Sequence, residues 1–182
     1  MEIVIILGLI FLNGILSMSE IAMVSARKSR LETAAKKGSK TAKTALRLAN
    51  EPDRFLSTIQ IGITLIGILT GLYSGEALAG DLARWLETIG IPQAHSLTLA
   101  KGIIVILVTY LTLILGELVP KHLGMNAPEK IARLIARPME VLSKIASPFV
   151  WLLSASTQAV IRLTGLHAST ENKVTEEEIK AI

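Results

Sequence analysis

Apolar residues in this chain fall in three long blocks. Residues 3–26, about 55–79 and about 99–119 each reach the roughly 20 helical residues needed to cross a bilayer, and they predict three transmembrane helices. Between the first two blocks the pattern changes. Leu31, Ala35, Ala42, Ala45 and Ala49 recur at helical spacing with lysines on the other side, which predicts a cytoplasmic amphipathic helix over 27–49, broken near Gly38. Asn50-Glu51-Pro52-Asp53 stops it and starts the next helix. Beyond Lys121, residues 128–165 keep a helical pattern but carry Arg133, Arg137, Lys144 and Arg162, and Pro138 and Pro148 interrupt them. The uncharged part, 145–161, would be about 25 Å long as a helix and has a proline inside. It suits a belt along the membrane interface better than a fourth span, with Phe149 and Trp151 in the lipid boundary and basic side chains reaching to water.

The expected fold class is therefore an all-α membrane protein: three transmembrane helices, a cytoplasmic amphipathic helix pair and an interfacial juxtamembrane belt helix. Residues 1–165 make the transmembrane domain. Residues 166–182 read as a cytoplasmic linker, in which Thr175 ahead of Glu176, Glu177 and Glu178 resembles a helix start with a capping box. A longer protein with a cytoplasmic portion beyond Ile182 is expected. On the second span Gly67, Gly71 and Gly75 recur every four residues and leave a flat groove where another helix can approach closely.

Charge orients these elements. Residues 27–54 hold nine Lys/Arg, whereas 80–98 hold only Arg84 beside Asp81 and Glu87. Basic loops stay inside, so 27–54 and the chain after Lys121 are expected in the cytoplasm, and the N-terminus and 80–98 outside. The expected location is a membrane, crossed three times. Met1–Ala26 lacks a basic leader and a small-x-small cleavage pattern, so it reads as a retained first span rather than a signal peptide. The basic stretch flanks a membrane span, which favours contact with anionic lipid headgroups or solvent over nucleic acid.

Composition then narrows the chemistry. The chain is 51% hydrophobic with a mean hydropathy of +0.53. It has no cysteine, which rules out disulfides, thiolate metal sites and cysteine nucleophiles. His95, His122 and His167 lie outside the apolar runs and lack metal-ligand spacing. No nucleophile–base set, phosphate loop or metal-hydrolase motif is present, so no enzymatic activity is expected.

The informative residues are the polar ones inside the spans. Gly116-Glu117-Leu118-Val119-Pro120-Lys121 closes the third run, and a carboxylate there is expensive to bury. Pro120 has no N–H, so the carbonyl of Gly116 loses its usual helical donor. Glu20 lies seven residues before Arg27, Gln60 six after Arg54, and Glu117 four before Lys121. All three thus sit roughly 6–10 Å inside the cytoplasmic boundary, in one layer. Asn13, Ser17 and Glu20 form a stripe on the first helix, flanked by Ser19. Gln60 and Thr64 are one turn apart on the second, and Thr109, Thr112 and Gly116 follow helical spacing on the third. The lining is all oxygen and amide, which suits Mg²⁺, Ca²⁺ or Mn²⁺ more than Zn²⁺ or Cu²⁺, while a carboxylate pair also suits an organic polyamine. Blander roles are open to each member. Serine and threonine can bond their own helix backbone, Glu20 can pair with Lys28 or another basic residue, and Glu117 can pair with Lys121 at i+4.

Three segments in this order resemble the membrane domain of the CorC/CNNM family, the DUF21 domain of hemolysin-like proteins. They are Asn13-Gly14-Ile15-Leu16-Ser17-Met18-Ser19-Glu20-Ile21-Ala22, Gln60-Ile61-Gly62-Ile63-Thr64-Leu65 and Gly116-Glu117-Leu118-Val119-Pro120-Lys121. The resemblance covers about residues 1–165. It implies a homodimer, Mg²⁺ transport (efflux coupled to Na⁺) through an inward-facing cavity, and a following CBS-domain pair that binds nucleotide. By position, Ser17 and Glu117 match the family's cation-site serine and glutamate, and Gly116 its backbone carbonyl. The second helix departs: magnesium-transporting members carry a Gly-Asn-Asn-like stretch at Gly62-Ile63-Thr64 and a further asparagine at Gly67. Either Gln60 substitutes from one turn earlier, or the substrate differs. Glu20 is typical of the hemolysin-like branch, some members of which are linked to polyamine export.

The expected function is a membrane cation-transport domain, for Mg²⁺ or a related divalent ion. Ser17, Gln60, Thr64, Gly116 and Glu117 would be the ion site, with Asn13, Ser19 and Glu20 along the path. Two alternatives remain: a cadaverine or putrescine exporter using Glu20 and Glu117, and a membrane anchor and dimerisation module for a cytoplasmic sensor.

Overall fold

The computed structural model describes residues 1–164. The acidic run after Thr175 lies outside them. Among the described residues the secondary structure is helical, and three stretches are long and apolar enough to cross a membrane: Glu2–Ser25, Pro52–Thr88 and Gln93–Asn126, each holding an 18-residue window whose mean hydropathy is 2.1, 1.8 and 2.4 in turn.

Helix α1 (Glu2–Ser25) takes up the first block and ends where Ala26 turns extended. Arg27 then precedes α2 (Lys28–Lys36) with no side-chain capping bond, and the chain breaks at Gly38, whose φ of +91° suits a residue without a Cβ. Ser39 restarts the helix as α3 (Lys40–Asn50), its Oγ accepting a hydrogen bond from the Ala42 N–H at 3.2 Å. α4 (Pro52–Ala77) opens with Pro52 in its first turn, where no N–H is needed.

The segment between the second and third spans is more ordered than its polarity suggests. It contains α5 (Ala79–Thr88), which buries Ala79, Ala83 and Leu86 at helical spacing. Gly90, at φ +98°, then reverses the chain into α6 (Gln93–Leu113). Ser96 is 1% exposed and donates a 2.7 Å hydrogen bond from its Oγ to Glu87 Oε1, which ties the start of α6 to the end of α5. Beneath this tie Ala83 and Leu86 cluster with Ala100, and Ala79 with Ile104 and Val108.

The third span continues past the predicted end at 119. After α6 comes a π-helical turn, Ile114–Leu118, and then α7 (Val119–Asn126). α8 (Pro128–Leu163) is one helix. The expected interruptions at Pro138 and Pro148 do not occur. A proline inside a helix deletes one i→i−4 bond but need not end the helix where packing holds both sides, and around Pro138 the residues Ala132, Ile135, Ala136 and Met139 are anchored in the core.

Residues Met1–Ala146 form one compact unit. Its main core joins Leu16 and Met23 of α1, Leu31 of α2, Ala45, Leu48 and Ala49 of α3, Phe55, Ile59 and Ile66 of α4, and the first turns of α8. Leu31, Ala42, Ala45 and Ala49 are buried as their spacing predicts, while Ala35 is half-buried. The second unit begins at Ser147. Within it the described part of α8 leaves Phe149, Trp151, Leu152 and Leu153 exposed.

Candidate functional site

The structure joins one end of α1 to the π-turn and α7. Two glycines let the backbones approach. A Cβ on Gly14 would meet Pro120 Cγ at 3.0 Å and the Leu115 carbonyl at 3.1 Å. One on Gly124 would lie 2.8 Å from the Met18 carbonyl and closer still to Ile21 Cγ2. Helices in lipid gain their contact from such close fits, because lipid tails already satisfy apolar surface.

Pro120 explains the local backbone. In the π-turn the Val119 N–H reaches the Ile114 carbonyl, five residues back. Pro120 can donate neither to Leu115 in that pattern nor to Gly116 in the α pattern. The Gly116 carbonyl is met instead by the side chain of Asn13, whose Nδ2 donates to it at 3.0 Å from across the interface. Gly116 allows a close approach here: a Cβ would lie 3.2 Å from the Ile10 carbonyl and 3.3 Å from Asn13 Nδ2, so these neighbours would have to give by a few tenths of an ångström.

This bond fixes which way the amide points. With Nδ2 on the Gly116 carbonyl, Asn13 Oδ1 faces elsewhere, buried and without a donor. One turn on, the hydroxyl of Ser17 is likewise buried without a partner. So is Thr112 Oγ1, one turn before Gly116. A buried polar atom left unpaired costs about 1–3 kcal/mol, and among the described residues these three side-chain atoms carry that cost. Ser19 differs: it is fully buried, but its Oγ donates to the Ile15 carbonyl at 2.6 Å and serves its own helix. Thr58 and Thr70 do the same on α4.

One turn further along α1 is an ionic cluster. Lys121 Nζ stands 2.9 Å from Glu117 Oε1 and 3.7 Å from Glu20 Oε2. The three side chains are part-exposed, at 34% for Lys121, 42% for Glu117 and 29% for Glu20. Of the pairings open to Glu117 and Glu20, the lysine at i+4 takes the first and reaches the second as well. In the sequence Lys121 marks a span boundary and offers Glu117 a partner at i+4. Its bridge to Glu20 depends on the crossing of α1 with α7, which no local spacing reveals.

The predicted layer is thus only partly assembled. Asn13 meets Gly116, and Glu20 and Glu117 meet Lys121. Gln60 and Thr64 are exposed on α4, as is Thr109 on α6. The glycine row on α4 is open too, since a Cβ on Gly67, Gly71 or Gly75 would find nothing within 4 Å. Gly67, Thr70 and Gly71 instead border a cleft of about 150 Å³ shared with Thr109 and Thr112. Among the described residues no group of three or more His, Asp or Glu side chains is placed to hold a metal ion.

The pattern of the cyclin M transmembrane N-terminal domain matches residues 4–182. The chain belongs to this family. It is 47% identical over 182 residues to a UPF0053 protein of Synechocystis, covering all of this chain and 41% of that protein. It is 31% identical over 176 residues to the UPF0053 protein YhdT of Bacillus subtilis, covering 96% of this chain and 38% of the relative. It is 29% identical over 181 residues to a protein of Escherichia coli K12 named polyamine export protein, covering all of this chain and 40% of that protein. The chain therefore spans about two fifths of the length of these relatives. Membership of the family, with three apolar helices, makes it a membrane domain.

Proposed function

We propose that this cyclin M-type domain carries a cation across the membrane, with Mg²⁺ or a related hard divalent ion as substrate. One observation carries the reading. Asn13 Oδ1 and Ser17 Oγ are buried, one helical turn apart, and have no donor, on the helix that meets Gly116 and Glu117. Oxygen lone pairs held unpaired on a helix that meets the turn bearing a carboxylate suit a small cation that keeps part of its water shell. In this reading Glu117 supplies charge, and Ser17, the Gly116 carbonyl and Asn13 supply neutral oxygens. Gln60 and Thr64 complete the path from the exposed face of α4, where a second copy in a homodimer would bring them into use. Na⁺ coupling, a bacterial inner membrane with the N-terminus outside, α8 lying along the interface, and regulation by a nucleotide-binding CBS pair in the remainder of the protein belong to the same proposal. No covalent step is part of it.

The test is Mg²⁺ flux in proteoliposomes containing the full-length protein and a trapped indicator. Glu117→Gln should abolish flux and Ser17→Ala should reduce it. Flux at the unsubstituted rate in Glu117→Gln would sink the site.

A second reading is export of an organic diamine. It is favoured by the two carboxylates that already share one primary ammonium, and by the name of the Escherichia coli relative. Putrescine or cadaverine that fails to compete with Mg²⁺ flux, and is not itself carried, removes it. An inert anchor, the remaining alternative, would show no ion-dependent change in stability.

A further inference from the structure

We propose that the Lys121 ammonium is a tethered occupant of the Glu20–Glu117 carboxylate pair, and that a transported cation must displace it. This rests on the transport reading above and adds a device that regulates the same site. Three observations support it. The ammonium lies within 4 Å of both carboxylates, which come from different helices, so it holds the place where a free cation would be attracted. The charges are unequal: two carboxylates against one ammonium leave the cluster at −1. Adding a divalent ion would bring it to +1, whereas exchanging the ammonium for the divalent ion brings it to zero. At a part-lipid boundary the neutral arrangement is the cheaper one. The third observation is an exit. The Lys121 side chain is 34% exposed and has a four-carbon stem, so its head can swing to water while the stem stays against the helix.

The device has two consequences. In the absence of substrate, Lys121 spares the protein two uncompensated carboxylates near lipid and ties α1 to α7. When the cation arrives, that tie is released, so occupancy is linked to the contact between the two helices. A weakly paired ammonium is a modest competitor, as part-exposed ion pairs contribute little. It therefore sets the working range of concentration without blocking the site.

The experiment compares the full-length protein with Lys121→Met, which keeps the stem and removes the charge, and Lys121→Arg, which keeps the charge. The concentration of Mg²⁺ giving half-maximal flux should fall about fivefold in Lys121→Met and stay near the unsubstituted value in Lys121→Arg. Amine-reactive labelling read by mass spectrometry gives a second measure on the unsubstituted protein: labelling of Lys121 should rise on adding Mg²⁺, while Lys101 stays constant. Unchanged or raised half-saturation in Lys121→Met, or Lys121 labelling indifferent to Mg²⁺, overturns the displacement while leaving a Glu117-dependent flux intact. Flux that survives Glu117→Gln overturns the transport site and the displacement together. If Lys121→Met does not fold, the labelling measurement decides alone.

Discussion

Gly124→Ala would test the crossing that holds the ionic cluster. The added Cβ would lie 2.8 Å from the Met18 carbonyl on α1, whereas ordinary contacts begin near 3.4 Å, so α1 and α7 must part by roughly 0.6 Å. The carbonyl is backbone inside a helix and cannot rotate away. Overpacking of this kind costs about 1–3 kcal/mol and the better helix propensity of alanine returns about 1 kcal/mol, so the net loss should be up to about 2 kcal/mol, about 1–3 kcal/mol below a variant that gains propensity alone. Gly67→Ala is the matched control, because its Cβ meets nothing within 4 Å and only the propensity change remains. Reversible unfolding in mixed micelles should place the two variants on opposite sides of the unsubstituted protein. The parting should also lengthen the 3.7 Å contact from Lys121 to Glu20, which rides on α1 between Met18 and Ala22, and spare the 2.9 Å contact to Glu117 within its own helical stretch. If the two alanine variants differ by less than about 0.5 kcal/mol, the close approach of α1 and α7 is not what holds this end together.

Two further substitutions probe single bonds. Asn13→Ala leaves the Gly116 carbonyl without its side-chain donor, and polar contacts between membrane helices average about 0.6 kcal/mol, so a loss of about 0.5–2 kcal/mol is expected in the same unfolding assay. No loss would mean the carbonyl finds another donor. Ser96→Ala removes the part-buried bond to Glu87 and should loosen the α5–α6 connection by about 1 kcal/mol, seen as faster amide exchange over residues 86–96, whereas unchanged exchange would mean the apolar contacts beneath it suffice.

The spans were readable because lipid imposes a contiguous apolar length. Blocks at 3–26 and 55–79 match helices Glu2–Ser25 and Pro52–Ala77 within a few residues. The third was cut short at its charges, although helical hydrogen bonding does not stop where apolarity does: from Gln93 the helical path runs to Asn126. The break at Gly38 was legible from the residue alone. α5 is absent from the expected elements although Ala79, Ala83 and Leu86 carry a helical spacing, because one short period is a weaker signal than a long apolar block. The expected layer of Glu20, Gln60 and Glu117 rests on counting residues from a boundary, which says nothing about which way a side chain faces. Each residue turns about 100° around a helix, so Ile59 can be fully buried while its neighbour Gln60 is exposed.

The same rotation gives the π-turn at Ile114–Leu118 a meaning as a frame setter. A π-turn behaves as a helix with one residue inserted. Deleting one residue there would relax the turn to α geometry and leave the downstream faces in place, whereas forcing α geometry on the turn with all its residues kept would swing everything downstream by about 100° relative to α6. Pro120 and Gly124 would leave the face they present to α1, and Lys121 would turn away from Glu20. The wide turn that absorbs this extra residue thus decides whether the charged end of the third span meets the first span at all.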